Sequence, residues 1–582
     1  MRLISNFTRA MWNREHLAML ILGVIVGVLG GYGAVVFRWL LDVMREFCFG
    51  GTGDYIKLLE AHTWWYRLLV PTVGGLLVGP FIYFLAREAK GHGVPEVMEA
   101  VSLRGGYIRK RVSVVKALAS AASIAVGGSV GLEGPFVQIG SGLGSTIGQV
   151  FKASPNRMRV LVGCGAAAGI AATFNAPLAG MMFALEIILG EFAISTFSPI
   201  VFSAVMATAV SRLYFGDHPA FMVPTYQLVS WWEFALYAIL AAGAGVVAVA
   251  FTTVLYKIED AADALPVPEY LKTPLAGLLL GLVGLAFPMA LGVGYEGIEL
   301  ALGDSLVWWF MLTVMAVKIL ASSISLAGGM SGGIFAPSLF MGAMLGGAFG
   351  HLVHLVFPEI TAGPGAYAIV GMAAVVAGTT HGPLSAFLIL FEMTGGYKII
   401  LPLMIGCVVA TMVARGIRPE SIYTLKLLRR GVDLQAGKEM NLLRSMTVEQ
   451  AMRSDVESVP RDMTLRHFRD VLTNSKNTSF PVVDAAGRLC GIVSHADYGD
   501  HFDDPNLEDV VVVGDMATTN VVTVSPHDSL EEALRKISAR DFATLPVVDP
   551  EHGNRLVGII SHRDIISAYS KQLLKTDLPA NQ

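Results

Sequence analysis

Charge is what this chain has least of. Asp, Glu, Lys and Arg supply only 15% of its 582 residues, against roughly a quarter in ordinary soluble domains. Hydrophobic residues reach 54% and the mean hydropathy is +0.59, so a soluble globule is excluded as the main body. The formal net charge is −4 and the basic residues gather into no stripe, which leaves nucleic acid out of the expected partners. Cysteine is nearly missing as well. Cys48, Cys164, Cys407 and Cys490 are scattered without CxxC spacing, which argues against a disulfide framework or thiolate metal site and for reduced packing residues. No A-x-A cleavage site follows the first apolar stretch, which Arg2, Arg9 and Arg14 precede, so it reads as a retained segment and not a cleaved signal.

What the chain does have is long apolar runs, from residue 17 to about 416, among them Leu17 to Phe37 and Tyr66 to Ala86. Each is long enough to cross a hydrocarbon core of about 30 Å. These runs also repeat. Val115-Lys116-Ala117-Leu118-Ala119-Ser120, followed by Gly131-Leu132-Glu133-Gly134-Pro135, recurs as Val317-Lys318-Ile319-Leu320-Ala321-Ser322, followed by Gly333-Ile334-Phe335-Ala336-Pro337. Lys116 against Lys318 fixes an offset of 202, and Ser123, Gly140, Gly144 and Gly148 meet Ser325, Gly342, Gly346 and Gly350 at the same offset. A second match sets Asn175-Ala176-Pro177-Leu178 and Glu186 against His381-Gly382-Pro383-Leu384 and Glu392. Duplicated halves with Gly/Pro-interrupted apolar segments point to a substrate site of broken helices at the repeat interface. The chain's 63 glycines cluster in these segments, where small residues let membrane helices approach closely and also let the backbone break and expose amides. The segments are expected to face a pathway, because irregular backbone is tolerated at membrane depth only around a cavity or within protein.

Gly91-His92-Gly93-Val94-Pro95, Gly131-Leu132-Glu133-Gly134-Pro135 and Gly333-Ile334-Phe335-Ala336-Pro337 each place glycine ahead of a proline, as a helix start with exposed amides requires. Unpaired amides and a partial positive charge suit a desolvated anion. A carboxylate at membrane depth, such as Glu133, is functional by default.

With Tyr423 in Pro419-Glu420-Ser421-Ile422-Tyr423, these three segments resemble the four selectivity elements of the CLC family of chloride channels and chloride/proton antiporters, over residues from about 20 to 430. The resemblance implies an all-α polytopic membrane protein with two halves of inverted topology, forming a homodimer with one pore per subunit. It implies that Glu133 is the gate, that the amides of Ile334 and Phe335 hold a central chloride or related anion, and that the Tyr423 hydroxyl touches the same ion. His92 and Gly93 stand in the first element, where His92 replaces the usual serine. The imidazole either hydrogen-bonds at the helix start or meets the anion. Leu132 stands where arginine is common. Ile187 occupies the inner proton-relay position, where antiporters usually carry the second of two glutamates. An isoleucine carries no proton, so channel-like conduction is favoured over the alternative, chloride/proton exchange. Glu186 and Glu392, at matched positions, read as helix-end hydrogen-bonding groups, and Lys116 and Lys318 likewise as structural or as charges that set the pore potential from a distance.

From about Met440 the chain reads as soluble and repeats again. Thr464 to Asp497 and Ser529 to Asp564 each run helix, β-branched strand, turn, strand and helix start, the pattern of a strand-rich α/β unit. The pair resembles a CBS tandem. In nucleotide-binding pairs Asp497 and Asp564 would contact ribose, with Ser494 and Ser561 near phosphate. An adenosine nucleotide (ATP, ADP or AMP) is therefore one reading of the tail, and a dimerising, gate-coupling module the other. The expected division is a membrane domain over 1–430, with halves at about 20–215 and 230–430, a linker at 431–445, and CBS copies at 446–500 and 510–572. Lys426, Arg429 and Arg430 after the last apolar run, with the N-terminal arginines, place both ends in the cytoplasm of a cell (inner) membrane protein. No covalent catalysis, required cofactor or metal is expected. A CBS-bearing divalent-cation transporter is the rival of another class, and it needs a path lined with carboxylates.

Overall fold

The computed structural model describes residues 15–85, 89–217, 221, 228–433, 443, 446–475, 477, 479–494, 497, 509–540, 542–550 and 552–577. Arg2, Arg9, Arg14 and most of the expected linker 431–445 lie outside them. The chain divides into two units, Met1–Leu427 and Leu428–Gln582.

The first unit is helical. Its first half runs α1 (Glu15–Phe49), α2 (Tyr55–Glu60), α3 (Trp64–Leu85), α4 (Val94–Leu103), α5 (Arg111–Ala125), α6 (Glu133–Val150), α7 (Pro155–Phe174), α8 (Pro177–Phe183) with a π-helical continuation Ala184–Leu189, and α9 (Ile194–Phe215). The second half runs α10 (Glu233–Ala264), α11 (Glu269–Ala286), α12 (Tyr295–Leu302), α13 (Trp308–Ala327), α14 (Phe335–Val356), α15 (Pro364–Thr380), α16 (Pro383–Thr394), α17 (Ile400–Ile417) and α18 (Ile422–Arg429). Among the described residues, nine helices are long and apolar enough to span a membrane.

The halves are inverted, and paired contacts show it. Gly75 of α3 abuts the Thr273 carbonyl of α11, while Gly277 of α11 abuts the Pro71 carbonyl of α3. The order of contacts runs backwards along the two helices, so repeat-equivalent helices lie antiparallel, as a twofold axis across them requires. The buried serines obey the same axis. Ser129 N donates to Ser325 Oγ (3.0 Å) and Ser331 N to Ser123 Oγ (3.0 Å). Ser129 Oγ pairs with Ser322 Oγ (3.0 Å) and Ser331 Oγ with Ser120 Oγ (2.8 Å). Each half thereby satisfies polar groups that the other buries, which matters where an unmatched one costs about 1–3 kcal/mol.

Of the two ends expected of the repeated glycines, close approach is the one served by those inside the helices. Gly140 and Gly165 pack so closely that a Cβ on either would sit 2.1 or 2.0 Å from the other's carbonyl oxygen, and Gly342 and Gly371 make the matching contact at 2.3 Å each way. These glycines therefore bring α6 against α7 and α14 against α15 and do not line a pathway, as small residues do in membrane helix pairs.

The second unit is α/β. In the first CBS copy, β1 (Val459–Pro460), β2 (Ser479–Val483) and β3 (Leu489–Ser494) form a three-stranded sheet, β1 parallel and β3 antiparallel to β2, with α19 (Leu465–Asn474) between β1 and β2 in the chain and α20 (Val513–Met516), from the start of the second copy, packed on the same core. In the second, α21 (Leu530–Arg540), β4 (Thr544–Asp549), β5 (Arg555–Ser561) and α22 (His562–Asp577) carry an antiparallel pair. Registers match between copies, Phe480 opposite Val493 and Leu545 opposite Ile560. Phe468, Phe480 and Val493 close the core of one copy, and Leu530, Leu545 and Ile560 that of the other.

Candidate anion site

Four chain breaks meet inside the first unit. The loops before α6 and α14 bond to each other in both directions, Gly131 N to Gly333 O (2.7 Å) and Gly333 N to Gly131 O (2.6 Å). Gly332 N donates to Gly91 O (3.3 Å), which ties in the loop before α4. A Cβ on Gly134 would lie 2.0 Å from the His92 carbonyl oxygen, so only glycine lets the first turn of α6 sit against that loop. The α4 start turns on Gly93, whose φ of 83° is a left-handed conformation open to glycine at little cost.

Two buried lysines hold the loops at the two α4-like starts. Lys116 Nζ donates to Ala89 O (3.1 Å) and Gly91 O (2.7 Å), and Lys318 Nζ to Ala290 O (3.1 Å) and Gly292 O (3.0 Å). Carbonyl acceptors on each ammonium offset part of the cost of burying its charge.

Glu133 begins α6 and is 1% exposed. Its Oε2 accepts from Ala336 N (3.3 Å) in the first turn of α14, and its Oε1 from the Tyr295 hydroxyl (3.0 Å). The first amides of a helix have no intrahelical acceptor, so this carboxylate occupies a helix N-terminus that suits an anion. Ile334 caps α14 and Phe335 opens it, both with side chains buried. Tyr423, in the first turn of α18, is buried beside His92, with ring centroids 6.0 Å apart. The Tyr256 hydroxyl fixes the start of α18 through Ile422 O. His92, Gly93, Glu133, Ile334, Phe335 and Tyr423 thus sit on elements that converge.

Glu186 and Ile187 lie apart from this cluster, on the π-helical turn Ala184–Leu189. Ile187 is 7% exposed, and its Cδ1 lies 2.9 Å from where a Gly382 Cβ would be. Glu186 accepts from Leu384 N (3.1 Å), Ser385 N (2.7 Å) and Ser385 Oγ (2.6 Å), capping α16. Glu392 answers by capping α8 through Leu178 N (3.1 Å) and Ala179 N (2.7 Å).

Tyr295 was not singled out from sequence, though a signal existed. Gly292-Val293-Gly294-Tyr295 repeats Gly91-His92-Gly93-Val94 one residue off the main register, too short a match to notice without the fold. A cavity of about 470 Å³ reaches Tyr295 and Leu132 and is also lined by Arg38 and Arg45 of α1. The Arg38 guanidinium lies 4.5 Å over the Phe215 ring and donates to Thr173 O (2.6 Å). The arginines of this cavity's lining come from α1, while position 132 itself holds leucine.

The model of the voltage gated chloride channel family matches residues 74–415, and that of the CBS domain matches residues 448–498 and 513–571. This chain belongs to the CLC family. The H(+)/Cl(-) exchange transporter ClcA of Salmonella arizonae is 32% identical over 427 residues, 72% of this chain and 89% of that protein. Chloride channel protein CLC-e of Arabidopsis thaliana is 30% identical over 573 residues, 93% of this chain and 75% of the relative. The crystal structure of a slow cyanobacterial Cl−/H+ antiporter superposes with a TM-score of 0.65 at 28% identity, covering 71% of this chain and 97% of that one. As a CLC protein the chain is a membrane transporter of anions, and the divalent-cation rival falls away. The exchange transporter and the antiporter among these likenesses fit exchange better than the channel preference drawn from Ile187.

In the CBS pair, Ser494 N and Oγ both donate to Asp497 Oδ2 (2.7 Å each), and Ser561 N (3.0 Å) and Oγ (2.5 Å) to Asp564 Oδ2. Asp564 Oδ2 also receives Arg453 Nε (3.3 Å). Ser561 and Asp564 thus cap the start of α22, and Ser494 and Asp497 make the matching contact in the first copy. A cavity of about 250 Å³ between the copies is lined instead by Arg453, Asp455, Glu457, Asn477 and Thr544, among others.

Proposed function

We propose that this CLC protein exchanges chloride for protons across the membrane, with Glu133 serving as both anion gate and proton carrier. The observation that carries the reading is the carboxylate of Glu133 on the Ala336 amide, where a chloride would be solvated by the same donor. Protonation removes the charge that holds the side chain there and frees the amide for chloride, so proton uptake and chloride entry are linked at one place. Likeness to exchange transporters supports coupling. Glu186 is committed to the α16 cap and Ile187 cannot titrate, so protons would reach Glu133 from the inner side along water and not along a fixed carboxylate relay.

The second reading is a channel, favoured by Ile187. Purified protein in liposomes under a chloride gradient decides between them. Uphill proton movement supports exchange; chloride flux with no proton movement overturns it and leaves the channel. Glu133→Gln should abolish proton movement, and intact coupling in that variant would remove Glu133 from the mechanism.

Both termini in the cytoplasm of a cell membrane, and a homodimer with one pore per subunit, complete the proposal. For the tail, an adenosine nucleotide would occupy the cavity between the CBS copies, beside Arg453 and Glu457, with Asp497 and Asp564 shaping the loops around it.

A further inference from the structure

Inverted repeats give every loop a partner, and the partner of the His92 loop has been left without a task. Gly294 carries a φ of 93° where Gly93 carries 83°, so the two loops make the same left-handed turn before α12 and α4. The axis that relates them sends them to different parts of the site. The first loop brings His92 beside Tyr423; the second brings Tyr295 onto the gate, its hydroxyl 3.0 Å from Glu133 Oε1. Two features fix the ring. Phe221 packs edge-on to it, centroids 5.5 Å apart at 89°, and Lys318 holds the preceding turn through Ala290 O and Gly292 O. Tyr295 also lines the arginine-bearing cavity, so it stands between that opening and the gate.

We propose that Tyr295 is the latch of the gate: its hydroxyl donates to the charged Glu133 carboxylate in the closed state and to the replacing anion once that carboxylate leaves. The inference rests on the reading of Glu133 as gate and adds a donor that the second half alone supplies. A phenol hydroxyl is suited to the exchange, since it turns toward either acceptor without moving the ring. The other groups within electrostatic reach are Arg38 of α1 and Glu296 of α12, acting on Tyr295, and Tyr423 of α18, paired with Glu133.

Tyr295→Phe removes the hydroxyl and keeps the ring against Phe221. A donor to the charged form favours that form, so its loss lets Glu133 take up a proton at higher pH. In full-length protein reconstituted in liposomes, the midpoint of the pH–flux curve should move alkaline by about one to two units, with chloride flux at neutral pH raised severalfold. In a Glu133→Gln background, Tyr295→Phe should leave the pH curve unchanged yet weaken apparent chloride affinity by roughly threefold or more. A single variant with an unmoved midpoint overturns the latch. So does an alkaline shift that persists in the Glu133→Gln background, which would place the effect of the tyrosine elsewhere. Absence of chloride flux in the unmodified protein would instead overturn the transport reading and the latch with it.

Discussion

Replacing Glu186 with glutamine should destabilise the protein and leave proton coupling intact, although this carboxylate is next to the position where antiporters of the family keep their inner relay. Glu186 accepts three hydrogen bonds at the start of α16, a helix with no cap of its own at Gly382. Hydrogen bonds to a charged group contribute about 1.5–3 kcal/mol each when buried, and an N-cap typically about 1. The Leu384 bond is exposed, so the sum is discounted to about 3 kcal/mol for Glu186→Ala. Glutamine keeps one acceptor oxygen but loses the charge facing the helix dipole and turns a donor toward a donor, for about 1.5 kcal/mol. The repeat supplies a control. Glu392 accepts only two bonds, because Ala179 stands where Ser385 adds a hydroxyl, so Glu392→Ala should cost about 1 kcal/mol less than Glu186→Ala. Melting temperatures in detergent, followed by tryptophan fluorescence, should fall by a few degrees in that order. The same proteins in liposomes should retain the stoichiometry of the unmodified protein. The argument is refuted if Glu186→Gln uncouples protons from chloride while its melting temperature stays put and Glu392→Gln remains coupled.

Three other outcomes are expected. His92→Ser should alter the ranking of chloride, nitrate and fluoride, or remove a permeation change near about pH 6 to 7, the usual histidine range; identical behaviour in both tests would mean that the imidazole does not face the ion. ATP, ADP or AMP at millimolar concentration should raise the melting temperature of the full-length protein, and Arg453→Ala should abolish the rise, whereas no shift with any nucleotide leaves the CBS pair a coupling module. The backbone N–H of Arg488, its guanidinium and the backbone N–H of Ala486 hold the Asp484 carboxyl below the usual aspartate range. Its contribution is therefore complete at neutral pH and fades as pH falls below about 4. Asp484→Asn should flatten the acid limb of thermal stability, and an unchanged limb would show the turn to be indifferent to its charge.

Composition and repetition alone determined that this chain is a duplicated membrane protein with a soluble tandem, because an apolar run of spanning length and a recurring register depend on nothing distant in the chain. Glu133 was legible for the same reason: a carboxylate among glycines at membrane depth is conspicuous wherever it folds. Matched Glu186 and Glu392 announced a shared structural role, though not that each caps the other half's helix. What lay beyond reading were the relations that the twofold axis creates. Tyr295 is 162 residues from Glu133, in a loop whose likeness to the His92 loop spans four residues. The glycines of α6 and α14 look the same in sequence whether they break a helix or let two helices touch, and only the neighbouring carbonyl shows which. The arginines of the cavity beside Tyr295 likewise came from α1, a helix that the selectivity motifs never mention. An inverted repeat joins groups distant in sequence by symmetry and not by spacing, so the sequence carried the members of the site while the tertiary fold decided which of them meet.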